Sequence, residues 1–487
     1  MKRGFLNTSK AKKTRPLGLP TDPVADSNLK PSESIFSKAP FPGPAKPTIE
    51  VKRLPIGKVE KVALPKEWKR PAYEVLGAND TREPTITWTT QPEVRTNGKD
   101  PFTECVFYRG TKEVLKKIPG YPQPLIHPKP GAFRVNTVPG KGTGLFSTRA
   151  LTMGEHILTE RPLLISPIAA YAPYPPSFTY EQYVQLALSE MEQHIKIAVD
   201  RMSPNDRAAY MQLANSHKED GSGPCFGILR TNGLGISGLR PDVEGAAGRY
   251  SAVAKYISRL NHSCSPNTQP LFDKASLSYQ LFAVRDIAAG EELTFQYTDV
   301  GVPAAQRNEE LKPYDFVCTC TACTEDVPAS DARRVAIIAF NPNTLLWAID
   351  PKLPDDWLLK QCHEQLARIE TEGLEHLQAY HDATKAIMDI YMCLGNAQKA
   401  SEWAVRLNKN KWQEDDSLNI KSNFKEFEDP TDTAAYEAHM MWRMRAPGGS
   451  PTSNVFRSMA ALAGPNGIKS LPGGLSLMMF PGPPPPF

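Results

Sequence analysis

The sequence lacks an apolar run long enough to span a bilayer, and no apolar block follows the charged residues at its N-terminus. A membrane-spanning helix needs about 20 mostly apolar residues, and a secretion signal needs a shorter apolar core, so neither is expected. Pro16 and Pro20 would break the amphipathic helix of a mitochondrial presequence. We therefore expect an intracellular protein that has no membrane partner.

Cysteine is scarce, with 8 residues in a chain of 487. In a reducing compartment these thiols are expected to be free or to bind metal rather than to form disulfides. Hydrophobic residues make up 40% of the chain, which is enough for a sizeable core. That core does not reach the ends, because residues 1–127 are largely Pro-rich and residues 446–487 are rich in Gly and Pro. Both ends are expected to be largely disordered.

Acidic residues are few near the N-terminus, where residues 1–70 carry 16 Lys or Arg against 6 Asp or Glu. Such a basic tail can be a nuclear import signal, a loose contact to nucleic acid, or a solvated tail that does neither. A third interpretation is a zinc-containing protein that binds nucleic acid. Such a protein would also need basic residues interleaved with aromatic ones near its cysteine ligands, and these are missing. The nucleus, the cytoplasm or both remain as locations.

Hydrophobic periodicity predicts an α+β protein. Short apolar runs broken by Gly predict short strands from residue 132 onward, and a segment at 84–126 is expected to pack onto this β-rich domain. Apolar residues four apart, as in Tyr183, Ala187 and Met191, predict a helical insert at about 166–250.

The sequence after Cys323 has few strand signals. Helices are predicted near 357–369, 373–394, 397–407 and 433–445. We therefore expect the β-rich domain to occupy 128–326 and an all-α domain resembling helical repeats to occupy 327–445.

The strongest chemical signal is the spacing of Cys318, Cys320 and Cys323. Three thiols within six positions can bind one zinc ion, but a tetrahedral site needs a fourth ligand. Cys264 lies in an Asn-His-Ser-Cys motif and is the nearest candidate. Four thiolates leave no open position for water, so the zinc would be structural.

Two weaker motifs leave alternatives open. His262 and Cys264 could act as the base and nucleophile of a thiol hydrolase, although no Gly-flanked catalytic Cys signature is present. Gly142 and Gly144 would let a backbone approach a ligand closely. The third glycine of a dinucleotide-binding motif is missing, because Ser147 stands in its place.

Taken in order, Gly-x-Gly, Asn-His-Ser-Cys-x-Pro-Asn, Glu-Leu-Thr-x-x-Tyr and Cys-x-Cys-x-x-Cys resemble the SET-domain protein lysine methyltransferases over about residues 131–326. The similarity is greatest to the SMYD-like branch, whose members have an insert in the SET domain and helical repeats after it. Members of that branch carry a MYND zinc finger with many Cys and His residues. The insert here contains only Cys225, so no such finger can be built and its partner recruitment is not implied.

The resemblance implies S-adenosylmethionine as the methyl donor, a zinc-bound post-SET loop, and a protein lysine, in a histone or another protein, as the acceptor. It implies a monomeric protein-lysine N-methyltransferase. The positions that match the family's cofactor-binding residues are Lys141, Gly142, Thr143, Gly144, Asn232, Asn261, His262, Tyr297 and Phe316. Tyr297 and Tyr314 match the phenols that line the lysine channel, and the zinc ligands implied are Cys264, Cys318, Cys320 and Cys323.

These assignments agree with the chemistry of methyl transfer. The aromatic face of Phe316 can attract the sulfonium cation of the donor by about 0.5–2 kcal/mol. A lysine has a pKa of about 10.4, and desolvation in an aromatic channel lowers it toward the neutral amine that can attack. The alternative is a non-catalytic SET scaffold whose helical domain binds partners. No catalytic position is missing from the sequence, which favours the enzyme.

Overall fold

The structure is a computed structural model that describes residues 52–53, 58–69, 86–138, 140–170, 177–236, 238–240, 248–410 and 424–448. The basic opening of the chain and the Gly/Pro-rich end, both predicted to be disordered, lie outside these residues. Within the described part of the chain, no helix combines the length and apolar character needed to cross a membrane.

The secondary structure of the described residues alternates short strands with helices. The strands are β1 (Lys52–Arg53), β2 (Ile86–Gln91), β3 (Thr103–Tyr108), β4 (Phe133–Val138), β5 (Gly142–Ser147), β6 (His156–Glu160), β7 (Leu164–Pro167), β8 (Ala169–Ala170), β9 (Leu234–Ile236), β10 (Tyr250–Val253), β11 (Asn261–His262), β12 (Thr268–Asp273), β13 (Ser278–Ala283) and β14 (Glu292–Phe295). The helices are α1 (Thr111–Lys116), α2 (Tyr180–Arg201), α3 (Pro204–Met211), α4 (Pro224–Asn232), α5 (Ala304–Leu311), α6 (Thr321–Thr324), α7 (Val327–Ala339), α8 (Thr344–Ile349), α9 (Trp357–Glu372), α10 (Gln378–Cys393), α11 (Ala397–Asn408) and α12 (Thr433–Ala438).

The strands form several small sheets rather than one large one. The larger sheets have the orders β2-β3-β7-β10-β9, β11-β14-β5-β4 and β12-β13-β6, and β1 pairs with β8. Apolar side chains such as Leu145, Leu281 and Leu293 are fully buried between the sheets. The predicted α+β class, with a β-rich domain and a helical region after it, is confirmed.

The folded region begins before residue 128. Strand β3 is buried along its whole length and lies between β2 and β7 in the five-stranded sheet. Strands β2 and β3 and helix α1 come from the segment that the sequence assigned to the N-terminal region, although packing of 84–126 was expected. Hydrogen bonds between β3 and β7 therefore join this segment to the domain that follows.

Helices α2, α3 and α4 form the predicted insert between β8 and β9. Thr179 begins α2 with a capping box that includes Gln182. Ser203 caps α3, and Pro204 occupies its first turn, as the sequence indicates. The insert packs its apolar face, which includes Met191, against the five-stranded sheet.

The helical region after residue 326 shares one apolar core with the cysteine motif. Cys264 and Cys318 belong to the same buried cluster as Ile337, Ile369 and Leu374. Helix α10 begins at Gln378 rather than at the predicted residue 373, because Gly373 adopts a positive φ of 63° and ends α9. The helical region thus packs directly behind the candidate site.

Candidate functional site

Strand β14 brings the separate sequence motifs together. It pairs in parallel with β11, where His262 is opposite Phe295, and antiparallel with β5, where Leu145 is opposite Leu293. Because the two neighbours run in opposite directions, the end of β11 and the beginning of β5 meet at the carboxyl end of β14. Tyr297 follows at this edge. The Gly turn, the Asn-His pair and the tyrosine therefore converge although they are far apart in sequence.

Asn267 fixes the Asn-His-Ser-Cys motif to β14. Its side chain is only 1% exposed. Its amide nitrogen donates to the Glu292 carbonyl over 2.8 Å, and its amide oxygen accepts from the Thr294 N–H over 2.8 Å. Asn261 adds a second connection, donating through its side-chain amide to the Glu292 carboxylate over 2.7 Å. The side chains of Asn261, Asn267 and Glu292 thus set the path of the loop that carries Cys264.

The His262 imidazole connects the channel to the thiols. Its Nδ1 accepts from the Tyr297 backbone N–H over 3.0 Å, and its Nε2 lies 3.3 Å from the Cys264 sulfur. Burial lowers the pKa of His262 to about 4, so the ring is neutral at pH 7. In the neutral ring an accepting Nδ1 places the proton on Nε2, facing the sulfur. This arrangement does not favour the thiol hydrolase, in which the ring nitrogen would have to accept a proton from the thiol.

Three aromatic rings gather next to His262. The ring centroid of Tyr297 lies 4.9 Å from that of Tyr314 and 6.3 Å from that of Phe316. The Tyr297 hydroxyl donates to the Leu260 carbonyl over 2.6 Å, which holds the phenol in one orientation. Burial raises the pKa of both phenols, so they remain protonated at neutral pH. These rings can form an apolar wall with one fixed hydroxyl.

The predicted glycine turn leads into β5 beside this wall. Gly142 has a φ of 81°, and no heavy atom lies within 4 Å of the position where a Cβ would stand. The backbone there is therefore open to a ligand. The Thr143 hydroxyl accepts from Arg259 over 2.9 Å. Lys141 directly precedes Gly142, and its positive charge adds to the effect of burial in lowering the pKa of His262.

Asn232 lies at the end of α4, where its amide nitrogen donates to the carbonyls of Ala214 and Ile228, each over 2.7 Å. Its own carbonyl accepts from the Ser258 hydroxyl over 3.0 Å, and Ser258 lies in the turn before Asn261. The structure thus brings the Asn232 backbone close to the site, while its side-chain nitrogen is used within the insert.

The four predicted zinc ligands come together. The sulfurs of Cys264, Cys318, Cys320 and Cys323 all lie within 4.8 Å of one another. The Cys264 sulfur is 3.9 Å from that of Cys318 and 3.5 Å from that of Cys323. Tetrahedral zinc with Zn–S bonds of about 2.3 Å separates its sulfurs by about 3.8 Å. The spacing therefore fits one zinc ion.

Two fully buried arginines surround this cluster, and sequence reasoning missed both. The Arg307 guanidinium donates to the Ala322 carbonyl over 3.0 Å and lies 3.6 Å from the Cys323 sulfur. Hydrogen bonds from neighbouring thiols and from Arg307 lower the pKa of the Cys323 thiol. A cation here favours thiolates, which are the forms that bind zinc.

The second arginine, Arg334, binds the buried side of the loop that carries Cys264. It donates to the Cys264 carbonyl over 2.8 Å and to the Ser265 hydroxyl over 3.0 Å, and it pairs with Glu372 over 2.8 Å. Glu372 also accepts from Ser330 over 2.6 Å. Helices α7 and α9 therefore fix the position of the cysteine loop through a buried ion pair.

Glu160 is a further positioning residue without a recognisable motif. Its buried carboxylate accepts from the Tyr256 N–H over 3.0 Å and also from the Ile257 N–H. Burial raises the pKa of Glu160 to about 7, against the effect of these bonds. The only signal in the sequence is a carboxylate at the end of an apolar strand, where it can hold the turn that leads into Asn261.

Comparison with known proteins agrees with this geometry. Residues 142–298 match the family model of the SET domain. Histone-lysine N-methyltransferase set5 of Schizosaccharomyces pombe is 26% identical over 214 residues, which is 43% of this chain and 57% of that protein. N-lysine methyltransferase SMYD2 of Gallus gallus is 30% identical over 160 residues, or 32% of this chain and 36% of that protein.

Histone-lysine N-methyltransferase SMYD3 of Homo sapiens is 45% identical over 75 residues, which is 15% of this chain and 17% of that protein. The chain thus spans little more than half of the length of the first of these relatives and less of the others. The segment that matches the SET domain contains Gly142, Asn261, His262 and Tyr297. Residues 142–298 therefore match the SET domain, and the chain is similar to the SET5 and SMYD lysine methyltransferases.

Proposed function

We propose that this protein is an S-adenosylmethionine-dependent protein-lysine N-methyltransferase. The observation that carries the proposal is the meeting of an open glycine turn, an Asn-His strand and three aromatic rings at the end of β14. The glycine turn, the Asn-His strand and Tyr297 lie inside the segment that matches the SET domain, and the relatives named above are lysine methyltransferases. Nucleus and cytoplasm both remain as locations.

S-adenosylmethionine, when bound, would supply a methyl group on a sulfonium. The open backbone at Gly142 and the strand at Asn261 and His262 would hold the donor, with Phe316 against its positive charge. Lys141, Thr143, Gly144 and Asn232 complete the proposed donor site.

Tyr297 and Tyr314 would line the entry for the lysine side chain and exclude water from it. The Tyr297 hydroxyl donates its hydrogen bond to the Leu260 carbonyl, so the lone pairs of its oxygen are free to accept a hydrogen bond from the amine. A phenol with a raised pKa does not act as a base at neutral pH, so its task is to orient the nitrogen.

The four cysteines would hold a structural zinc next to this channel. The fit rests on the sulfur spacing and on the buried arginines that favour thiolates. With four sulfur ligands the ion has no position for water or substrate. Its contribution is to fix the segment that carries Tyr314 and Phe316, which ends at Cys318.

The test is transfer of a labelled methyl group to core histones and to a panel of other cellular proteins. Tyr297→Phe should lower transfer at least tenfold, or about 1.4 kcal/mol, because the orienting hydroxyl is lost. Tyr180→Phe is the matched control, since Tyr180 is 54% exposed at the start of the insert. Equal activity of Tyr297→Phe and the wild type on a proven substrate would contradict the proposed role. Transfer to no protein by folded, zinc-loaded enzyme would favour the non-catalytic scaffold.

A further inference from the structure

A short segment near the N-terminus, residues 58–69, runs along the insert of the SET domain. Val59 packs against the apolar cluster of α2 and β10, and Trp68 packs against Phe178. The side-chain amide of Gln185 donates to the Glu60 carbonyl over 3.2 Å. The segment is therefore held against the insert at several points.

The first residue of this segment reaches the rim of the proposed lysine channel. The Lys58 ammonium forms an ion pair with Asp315, which stands between Tyr314 and Phe316 in the sequence. The Asp315 side chain is 55% exposed, so another cation could reach it, and the Lys58 side chain is 43% exposed. Asp315 has a φ of 62°, a conformation in which it follows the single turn of helix that carries Tyr314.

We propose that Asp315 is the subsite for a basic residue close to the target lysine, and that Lys58 occupies it as an intramolecular competitor. This inference rests on the proposed methyltransferase function. The target lysine itself has to pass the aromatic rings to reach Tyr297, whereas the Asp315 carboxylate is exposed beside those rings. A second cation of the same peptide is the group that it can bind. The substrate class is therefore a lysine-containing segment with a neighbouring Lys or Arg.

The segment itself resembles such a peptide in composition. Residues 58–69 contain four lysines and two glutamates, with apolar residues between them. An ion pair between exposed side chains is weak, so an incoming peptide can displace Lys58. Because Lys58 belongs to the same chain, its concentration at Asp315 does not fall on dilution. We expect the competition to weaken peptide binding by about two- to fivefold.

Equilibrium binding of two short fluorescent peptides to the full chain tests the inference by anisotropy. Both peptides contain one lysine, flanked by arginines in the first and by glutamines in the second. Asp315→Asn removes the charge, and Asn tolerates the positive φ, so the variant is expected to fold. It should weaken binding of the arginine peptide and leave the glutamine peptide unchanged. Raising the salt concentration should reduce the difference between the peptides.

Lys58→Ala should have the opposite effect and tighten binding of the arginine peptide by about two- to fivefold. Lys66→Ala is the matched control, because it removes the same charge from an exposed position of the same segment. If Asp315→Asn binds both peptides like the wild type, or Lys58→Ala behaves like Lys66→Ala, the inference is wrong.

The binding measurement does not depend on turnover, so the two proposals can fail separately. Peptide discrimination through Asp315 without any methyl transfer would refute the proposed function and retain the subsite. Methyl transfer that ignores the flanking residues in both the wild type and Asp315→Asn would refute the subsite alone. Melting curves of the variants confirm that a change in binding is not a change in folding.

Discussion

The loop that carries Cys264 has two faces with different chemistry. Its front meets the partly exposed rings of Tyr297 and Phe316, next to the open glycine turn. Its back is held by the fully buried Arg334, which is paired with Glu372 of α9. Rings leave room for ligands to enter and leave, whereas a buried ion pair has strict geometry and cannot lose one partner cheaply. The buried ion pair thus keeps the loop in a fixed position, while the rings on the other face remain accessible to ligands.

Removing the counter-charge on the back face should have the largest effect. Glu372→Gln leaves the Arg334 guanidinium buried and uncompensated, which should lower the free energy of unfolding by about 3–5 kcal/mol. Glu370→Gln is the control, because its pair with Arg406 is largely exposed and should contribute about 1 kcal/mol or less. Urea denaturation measures both. Equal losses in the two variants would show that burial of the back face does not matter.

The second largest effect is expected at the cysteine cluster, on its affinity for zinc. Arg307→Gln removes the cation beside the Cys323 sulfur, and loss of a group that contacts a metal ligand weakens metal binding about 10–100-fold. Competition with a chromogenic chelator measures zinc affinity without any need for activity. Arg207→Gln, on the exposed surface of α3, should retain zinc like the wild type. Unchanged zinc affinity in Arg307→Gln would mean that the charge of the guanidinium does not contribute to metal binding.

The front face should give the smallest effect. Phe316→Leu keeps apolar volume but removes the ring, so binding of S-adenosylmethionine should weaken by about 0.5–2 kcal/mol. Isothermal titration of the donor measures this change. Phe272→Leu, in β12, is a control that removes a ring outside the proposed donor site. A loss of zinc or of folding stability in Phe316→Leu, rather than of donor affinity, would contradict the assigned division between the faces.

The cysteine cluster was predictable from sequence, and the back face was not. Cys318, Cys320 and Cys323 lie within six positions, so their chemistry is visible as spacing alone. The partners Arg334 and Glu372 are 38 residues apart and sit on two helices, and neither belongs to a motif. Glu160 binds a turn 96 residues later. Contacts of this kind depend on how the elements pack, which hydrophobic periodicity does not determine.

The fold shows the same division. The capped starts of α2 and α3 follow from local signals at Thr179 and Ser203, whereas the place of β3 inside a sheet depends on strands from three parts of the chain. Gly373 adopts a positive φ next to Ser265, and its Cβ position would lie only 3.1 Å from that side chain. The break between α9 and α10 is therefore tied to a tertiary contact that helix propensity alone did not reveal.

One ring, His262, touches both the Tyr297 backbone and the Cys264 sulfur. Thiols released from a metal are open to oxidation, and a disulfide formed there would draw the Cys264 sulfur away from the ring. The hydrogen bond that positions the Tyr297 backbone would then lose its fixed acceptor. Oxidation would thus stop the proposed methyl transfer although that reaction uses no thiol, and a reductant together with zinc would be needed to restore it.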